Sequence, residues 1–268
     1  VIADSLAPIV DDIFLNYQDH SGGTLWLGAI YFAFQIYCDF SGYSDIAIGT
    51  AKLFGIELIS NFKFPYFSRN IGEFWRRWHI SLSSWFKDYL YIPLGGSKKG
   101  KWKSIRNIFI IFLISGLWHG ANWTFVFWGL FHSILFLPSF FFQTNRKFKD
   151  SIIANNKVLP SPTEVFQVLR TFLLVSVGWV FFRSETIEGA VSYIYSMFLD
   201  LTISQTVPNE IIFNLIFLMF IEFSQRRSER NLFYNFHKVV FRIFVILCLF
   251  MILINLGSEP QQFIYFDF

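Results

Sequence analysis

"NIFIIFLISGLWHGANWTFVFWGLFHSILFLPSFFF", residues 107–142, decides the fold. One straight membrane-spanning helix needs about 20 residues, and two need about 40 plus a turn. This stretch falls between the two and is interrupted at "SGLWHGAN" (115–122). Two shortened half-helices meeting at the interruption are the predicted arrangement. Irregular backbone at bilayer depth persists only where it is buried in protein or lines a wet cavity. The interruption therefore marks a site, and it carries one titratable side chain, His119.

The rest of the chain agrees with a membrane setting. Hydrophobic residues make up 54% and charged residues 15%, with 37 Phe, against about 25% charged in an ordinary soluble domain. That is too little polar surface for a water-soluble globule. The net charge of +3 points to no nucleic-acid partner. Cys38 and Cys248 lie in apolar runs and read as small core residues rather than a disulfide. The start lacks a signal-peptide pattern and begins mid-sentence at Val1, as a piece of a longer protein would.

Outward from the interruption, residues 24–40 are apolar enough to span. Residues 41–56 continue them with small and polar side chains, suited to a second, tightly packed helix. Residues 60–70 read as a loop. "IGEFWRRWHISLSSWFKDYLYIPLGG" (71–96) is too charged to span and suits interfacial or re-entrant helices. Five basic residues crowd 97–106. A span with Arg170 inside it covers 164–182, an amphipathic piece 186–201, a short span 208–223, and a last span 239–257. Because Lys and Arg concentrate on the cytoplasmic side, loops 60–106, 143–163 and 224–242 are placed there. Residues 1–23, 184–207 and the C-terminal tail are placed outside, and 107–142 enters and leaves on the cytoplasmic side. No internal repeat is visible. The fold class is all-α, a polytopic membrane bundle with re-entrant or interfacial helices around a tunnel. Residues 1–268 form one membrane domain with a core at about 24–142 and terminal spans at about 164–257.

An imidazole held away from water favours its uncharged form, which makes His119 a candidate general base or proton shuttle. The bland alternative is a core histidine bonded to a carbonyl. Intramembrane ionisable groups are functional by default. Gly116 and Gly120 would let a substrate chain approach the backbone, and Trp118 and Trp123 would wall a channel. His79 lies beside Arg76 and Arg77, which could hold phosphates of an incoming donor; an internal salt bridge to Glu73 fits the spacing equally well. Asp39, Tyr43 and Asp45 sit in apolar context and would support the cavity, or make a structural contact between helices. His132 follows His119 by thirteen residues, roughly 220° around an ideal helix, so the two should not share a face. His20 and His237 read as surface residues. No HExxH or paired CxxC spacing indicates a metal, and no GxSxG indicates a serine hydrolase.

"CDFSGYSDIAIG" (38–49), "NFKFPYFSRNIGEFWRRWHISLSSWFKDYLYIPLGG" (61–96), "GLWHGANWTFVFWG" (116–129) and the closing "FIYFDF" (263–268) together resemble the membrane-bound O-acyltransferase family, nearest its polysaccharide-acetylating branch. Cys38 departs from the large apolar residue usual there. The resemblance implies an all-helical fold with a funnel or tunnel. It places the family's active histidine at His119 and a second family histidine at His79. It implies transfer of acetyl groups from a cytoplasmic donor, acetyl-CoA, across the inner (plasma) membrane, with no bound cofactor. A separate extracytoplasmic acetyltransferase partner would complete delivery to a polysaccharide acceptor. It also implies that this chain is the C-terminal portion of such a protein. Close alternatives are D-alanyl transfer to teichoic acid by the same fold, a proton-coupled transporter, and a noncatalytic scaffold. A transporter should show repeated halves and paired broken helices, and the sequence shows one break and no repeat.

Overall fold

The computed structural model describes residues 2–98, 100–149, 151–155, 157–205 and 208–227, with helical positions 243, 246, 247 and 250 beyond them. The expected last span (239–257), most of its basic approach (225–238), the tail, His237 and Cys248 otherwise lie outside the described residues. Among the described residues there is no strand, and the chain is all-helical. In chain order the helices are α1 (Ile2–Leu15), α2 (Gly22–Leu53), α3 (Ile71–Arg77), α4 (Ile80–Phe86), α5 (Lys101–His119), α6 (Trp123–Phe141), α7 (Pro162–Arg183), α8 (Ile187–Ser196) and α9 (Asn209–Gln225).

Local chemistry explains where the helices start. Pro162 opens α7 behind a reciprocal capping box between Ser161 and Glu164. The Asn70 side chain accepts the Glu73 amide at 2.8 Å to start α3, and Asn122 accepts the Thr124 amide at 3.1 Å to start α6.

Two expectations are corrected. Residues 24–40 and 41–56 are not separate helices, because α2 runs unbroken for 32 residues, about 48 Å at 1.5 Å per residue. Ser41 and Gly42 weaken a helix without ending it. A Cβ at Gly42 or Gly49 would meet nothing, and after Ser44 no α2 residue is buried. Beyond Ile46 the remaining residues of α2 are exposed or half-buried. Nor are the pieces on either side of the interruption shortened: α5 and α6 have 19 residues each, about 28 Å, because α5 starts at Lys101 inside the basic loop. Helices α6 and α7 are long and apolar enough to cross a membrane.

Polar contacts gather the connecting segments at two ends. At one, the Gly23 amide donates to the Asp200 carbonyl at 2.8 Å, Arg183 pairs with Asp11 at 2.7 Å, and the Asn122 side chain donates to the Glu185 carbonyl at 2.9 Å. At the other, Arg69 reaches Glu164 in the first turn of α7 at 3.5 Å, and Arg226 behind α9 donates to the Ile153 carbonyl at 3.2 Å. The core between them is aromatic: Trp179 lies 5.0 Å from Trp78 and 5.8 Å from Trp128, ring centre to ring centre. Such contacts add about 0.5–1.5 kcal/mol each beyond simple burial.

Candidate active site

Helices α5 and α6 form an antiparallel hairpin, and His119 is the last residue of α5. Small residues set how closely the two helices approach. A Cβ on Gly116 would lie 2.1 Å from the Phe125 carbonyl oxygen, and one on Gly129 would lie 2.2 Å from that of Phe112. Gly116 thus admits the neighbouring helix backbone and not a substrate chain, and Gly120 abuts the Phe125 ring. The His119 imidazole is buried among Trp118, Trp128 and Phe182, with ring centres 5.1, 5.3 and 5.0 Å away.

His79 arrives from a different element. It joins α3 to α4 with φ 44°, in the left-handed region. A residue with a side chain is costly there and persists only where its surroundings hold it. Asn61 does the holding. Its backbone carbonyl accepts the Ile80 amide at 3.0 Å, and its side-chain oxygen accepts the Ser81 amide at 3.2 Å and the Ser81 hydroxyl at 2.6 Å. The Ser81 oxygen lies 3.4 Å from His79 Nδ1. Having given its proton to Asn61, that hydroxyl can only accept from the ring. The arrangement favours the tautomer with the proton on Nδ1 and the lone pair on Nε2. Burial in the short connection between helices pushes the His79 pKa down to about 4, so near neutral pH the ring is uncharged. Phe40 crosses its edge at 4.7 Å.

The two histidines line one cavity of about 320 Å³, at the small end of the range for ligand pockets. Trp75, Trp78 and Trp128 wall it. Along α5 it follows Ile108, Ile111, Phe112, Ser115 and His119, a run of about 16 Å. One end is at the hairpin turn. The other, at Tyr91, Ser97 and Asn145, lies beside the basic segments. The shape suits a slender, mostly apolar arm reaching an imidazole, with few polar groups to compete for it.

The remaining sequence candidates are distributed as follows. Trp118 is exposed and touches both imidazoles, 6.2 Å from His79 and 5.1 Å from His119; Trp123 is exposed as well. Arg76 donates to the Asn145 carbonyl. Arg77 donates to Glu73 at 2.8 Å and to the Lys63 carbonyl at 3.0 Å. Glu73 is fully buried and also receives Arg69 at 3.0 Å, so the internal salt bridge forms, with Arg77 and Arg69 as its partners. Arg76 and Arg77 line a second cavity of about 380 Å³. Asp39, Tyr43 and Asp45 line a third, of about 480 Å³, beside Asp4 and Leu218, and do not line the histidine cavity. His20 is partly buried, 3.5 Å from Asp12, and Cys38 is a free thiol. Among the described residues no cluster of His, Cys, Asp or Glu has the makings of a metal site.

Sequence reasoning missed the indole walls, because an aromatic in an apolar run reads the same whether it faces lipid or a cavity. His132 is fully buried on α6, with its ring 5.1 Å from Trp128 and 5.0 Å from Trp75, and does not line the histidine cavity. Trp128 thus touches both His119 and His132. Tyr37 donates to the buried Glu222, a pair 185 positions apart that periodicity does not reveal.

Comparison with known proteins places these motifs. The profile of the membrane-bound O-acyltransferase family matches residues 16–182. A "Probable alginate O-acetylase" of Azotobacter vinelandii is 46% identical over 197 residues, covering 74% of this chain and 37% of that protein. A peptidoglycan O-acetyltransferase of Helicobacter pylori is 41% identical over 198 residues, 74% of this chain and 36% of that protein. A teichoic acid D-alanyltransferase of Bacillus subtilis is 34% identical over 164 residues, 58% and 40%. The chain spans well under half the length of these curated relatives.

Proposed function

Since the chain belongs to the membrane-bound O-acyltransferase family, we propose that it carries the acyl-transfer centre of a membrane protein that acetylates an exported or cell-envelope polysaccharide. The observation that carries this reading is the single cavity shared by His79 and His119, running from the basic end of the bundle to the hairpin turn. Acetyl rather than D-alanyl cargo is favoured by the relatives at 46% and 41% identity, named for acetylation, over the one at 34%.

The donor is a cytoplasmic thioester, acetyl-CoA, whose thiol arm enters past Ser97 and Asn145 and brings the acetyl carbon to the imidazoles. His119 takes the proton of the accepting hydroxyl as its oxygen bonds to the acetyl carbon. The carbon–sulfur bond then breaks, and the departing thiolate recovers that proton from the imidazolium. His79, with its lone pair on Nε2, assists the proton transfer from the opposite wall. The protein sits in the inner membrane, with the basic segments on the cytoplasmic side and the hairpin turn towards the outer side. An extracytoplasmic acetyltransferase partner passes the group on to the polymer.

The test is His119→Ala in the intact protein containing this chain, with acetyl ester measured on the exported polysaccharide. A general base contributes typically about 10²–10⁴-fold, so ester should fall to near background with protein level in the membrane unchanged. Undiminished ester would refute the reading.

A further inference from the structure

A third imidazole is buried beside the histidine cavity and takes no part in the proton transfers at His79 and His119. His132 is fully buried on α6, and among the described residues neither of its ring nitrogens has a hydrogen-bond partner. A buried polar atom left without a partner costs free energy. An aliphatic side chain of similar volume would avoid that cost, so stability alone does not explain the imidazole.

Its ring neighbours supply a second explanation. Trp75 crosses it at 5.0 Å and 88°. Trp128, one turn earlier on the same helix, crosses it at 5.1 Å and 68°. Phe112 stacks on it 6.4 Å away. All three line the histidine cavity, and His132 stands behind them, out of reach of donor and acceptor. Perpendicular rings meet edge to face, which fixes the tilt of the partner ring as well as its place. Trp128 carries that tilt onward. It stands at 88° to the His119 ring, 5.3 Å away, and it crosses Phe182, which packs on His119 at 5.0 Å. From the other side α7 confines His132: a Cβ on Gly178 would lie 2.7 Å from Nε2, so the glycine admits the ring and leaves it no room to move towards α7. We propose that His132 is a positioning residue for acyl transfer, which acts through Trp128 to set the orientation of the His119 imidazole. The role presupposes His119 as the base of that transfer.

The experiment measures acetyl transfer from acetyl-CoA by the intact protein containing this chain, in membranes, with kcat and KM taken separately. His132→Leu removes the ring and its unpaired nitrogens at similar volume. Its kcat should fall about 10- to 100-fold, as a misplacement approaching about 1 Å does, with KM for acetyl-CoA within about twofold. The unfolding temperature should equal that of the wild type or exceed it. Trp128→Phe is the second variant. With the indole gone, adding His132→Leu should lower kcat no further, because residues that act through one contact are not additive. If His132→Leu does not fold, His132→Asn should show the same loss of kcat per folded molecule. Wild-type kcat in the folded His132 variant, a raised KM with kcat unchanged, or an equal loss with and without Trp128 would overturn the proposal. His119→Ala separates this role from the reading beneath it. Transfer that survives His119→Ala removes the base itself; transfer lost in His119→Ala but intact in His132→Leu removes the positioning role alone.

Discussion

Two cavities flank one short segment and differ in almost every physical respect. From α3 and the residue pair after it, Trp75, Trp78 and His79 turn towards the histidine cavity, while Arg76 and Arg77 turn towards the cationic one. The first is walled by indoles and holds both imidazoles; the second is lined by basic side chains, with the carboxylate of Glu73 behind it. The contrast teaches that the segment separates two jobs. Chemistry on an acyl group gains from a wall with few polar groups to compete for it, whereas the guanidinium groups tie α3 to its neighbours through Glu73 and backbone carbonyls. Variants on the ionic side should lower stability and leave turnover per folded molecule nearly unchanged, and variants around the imidazoles should do the reverse.

The largest effect is expected at Glu73. Replacing it with Gln leaves Arg69 and Arg77 buried without their shared anion, and breaking such a pair costs about 3–5 kcal/mol. The unfolding temperature of the intact protein should drop steeply; a near-wild-type value would show that Glu73 does not hold the ionic side. Next is Gly129→Ala, which drives a methyl group into the Phe112 carbonyl. Overpacking of this kind costs about 1–3 kcal/mol, and it should also displace His119, so acetyl ester should fall further than protein abundance does. Asn122→Ala removes a helix cap worth about 1 kcal/mol and the tie to Glu185. The hairpin turn should then become more open to amide exchange, and unchanged exchange would separate that tie from the site.

The gentlest probe is pH. His79 titrates at about 4 in the folded protein and near 6.5 when unfolded. On acidification the unfolded chain takes up this proton first, so the contribution to stability is complete above about 6.5 and is lost as pH falls towards 4. From pH 7 to 6 the change is below about 1 kcal/mol. His79→Gln should flatten that part of the profile, and an identical slope would contradict the burial of the ring.

Much of this was legible in the sequence, unevenly so. The break after His119 could be read directly, because a His in an apolar run beside a Gly is a strong local signal; His79 was singled out by its basic neighbours and by the family resemblance. Helix lengths did not follow. Lys101, Lys103 and Arg106 extend α5 because their long side chains are good helix formers, although charge suggested a loop. Ser41 and Gly42 suggested a boundary where α2 continues, since nothing there competes for the backbone strongly enough to stop it. Arg76 and Arg77 were both at helical spacing from Glu73, and only the fold could select Arg77 and add Arg69. Asp39, Tyr43 and Asp45 share a helix with Phe40, which does touch His79, yet they turn towards a different cavity. One-dimensional spacing cannot say which side of a long helix faces which neighbour.

The central claim is that the acyl group travels along α5 to His119, and a plug tests it most directly. Ser115 is buried, lines the cavity, and lies one turn before His119. The intact protein is prepared with Ser115→Cys as its sole cysteine, every other cysteine, Cys38 and Cys248 included, being replaced by Ser, and acetyl transfer is followed before and after reaction with a bulky thiol reagent. The expected result is activity before labelling, its loss afterwards, and slower labelling in the presence of acetyl-CoA. Complete labelling with full activity retained would contradict the claim.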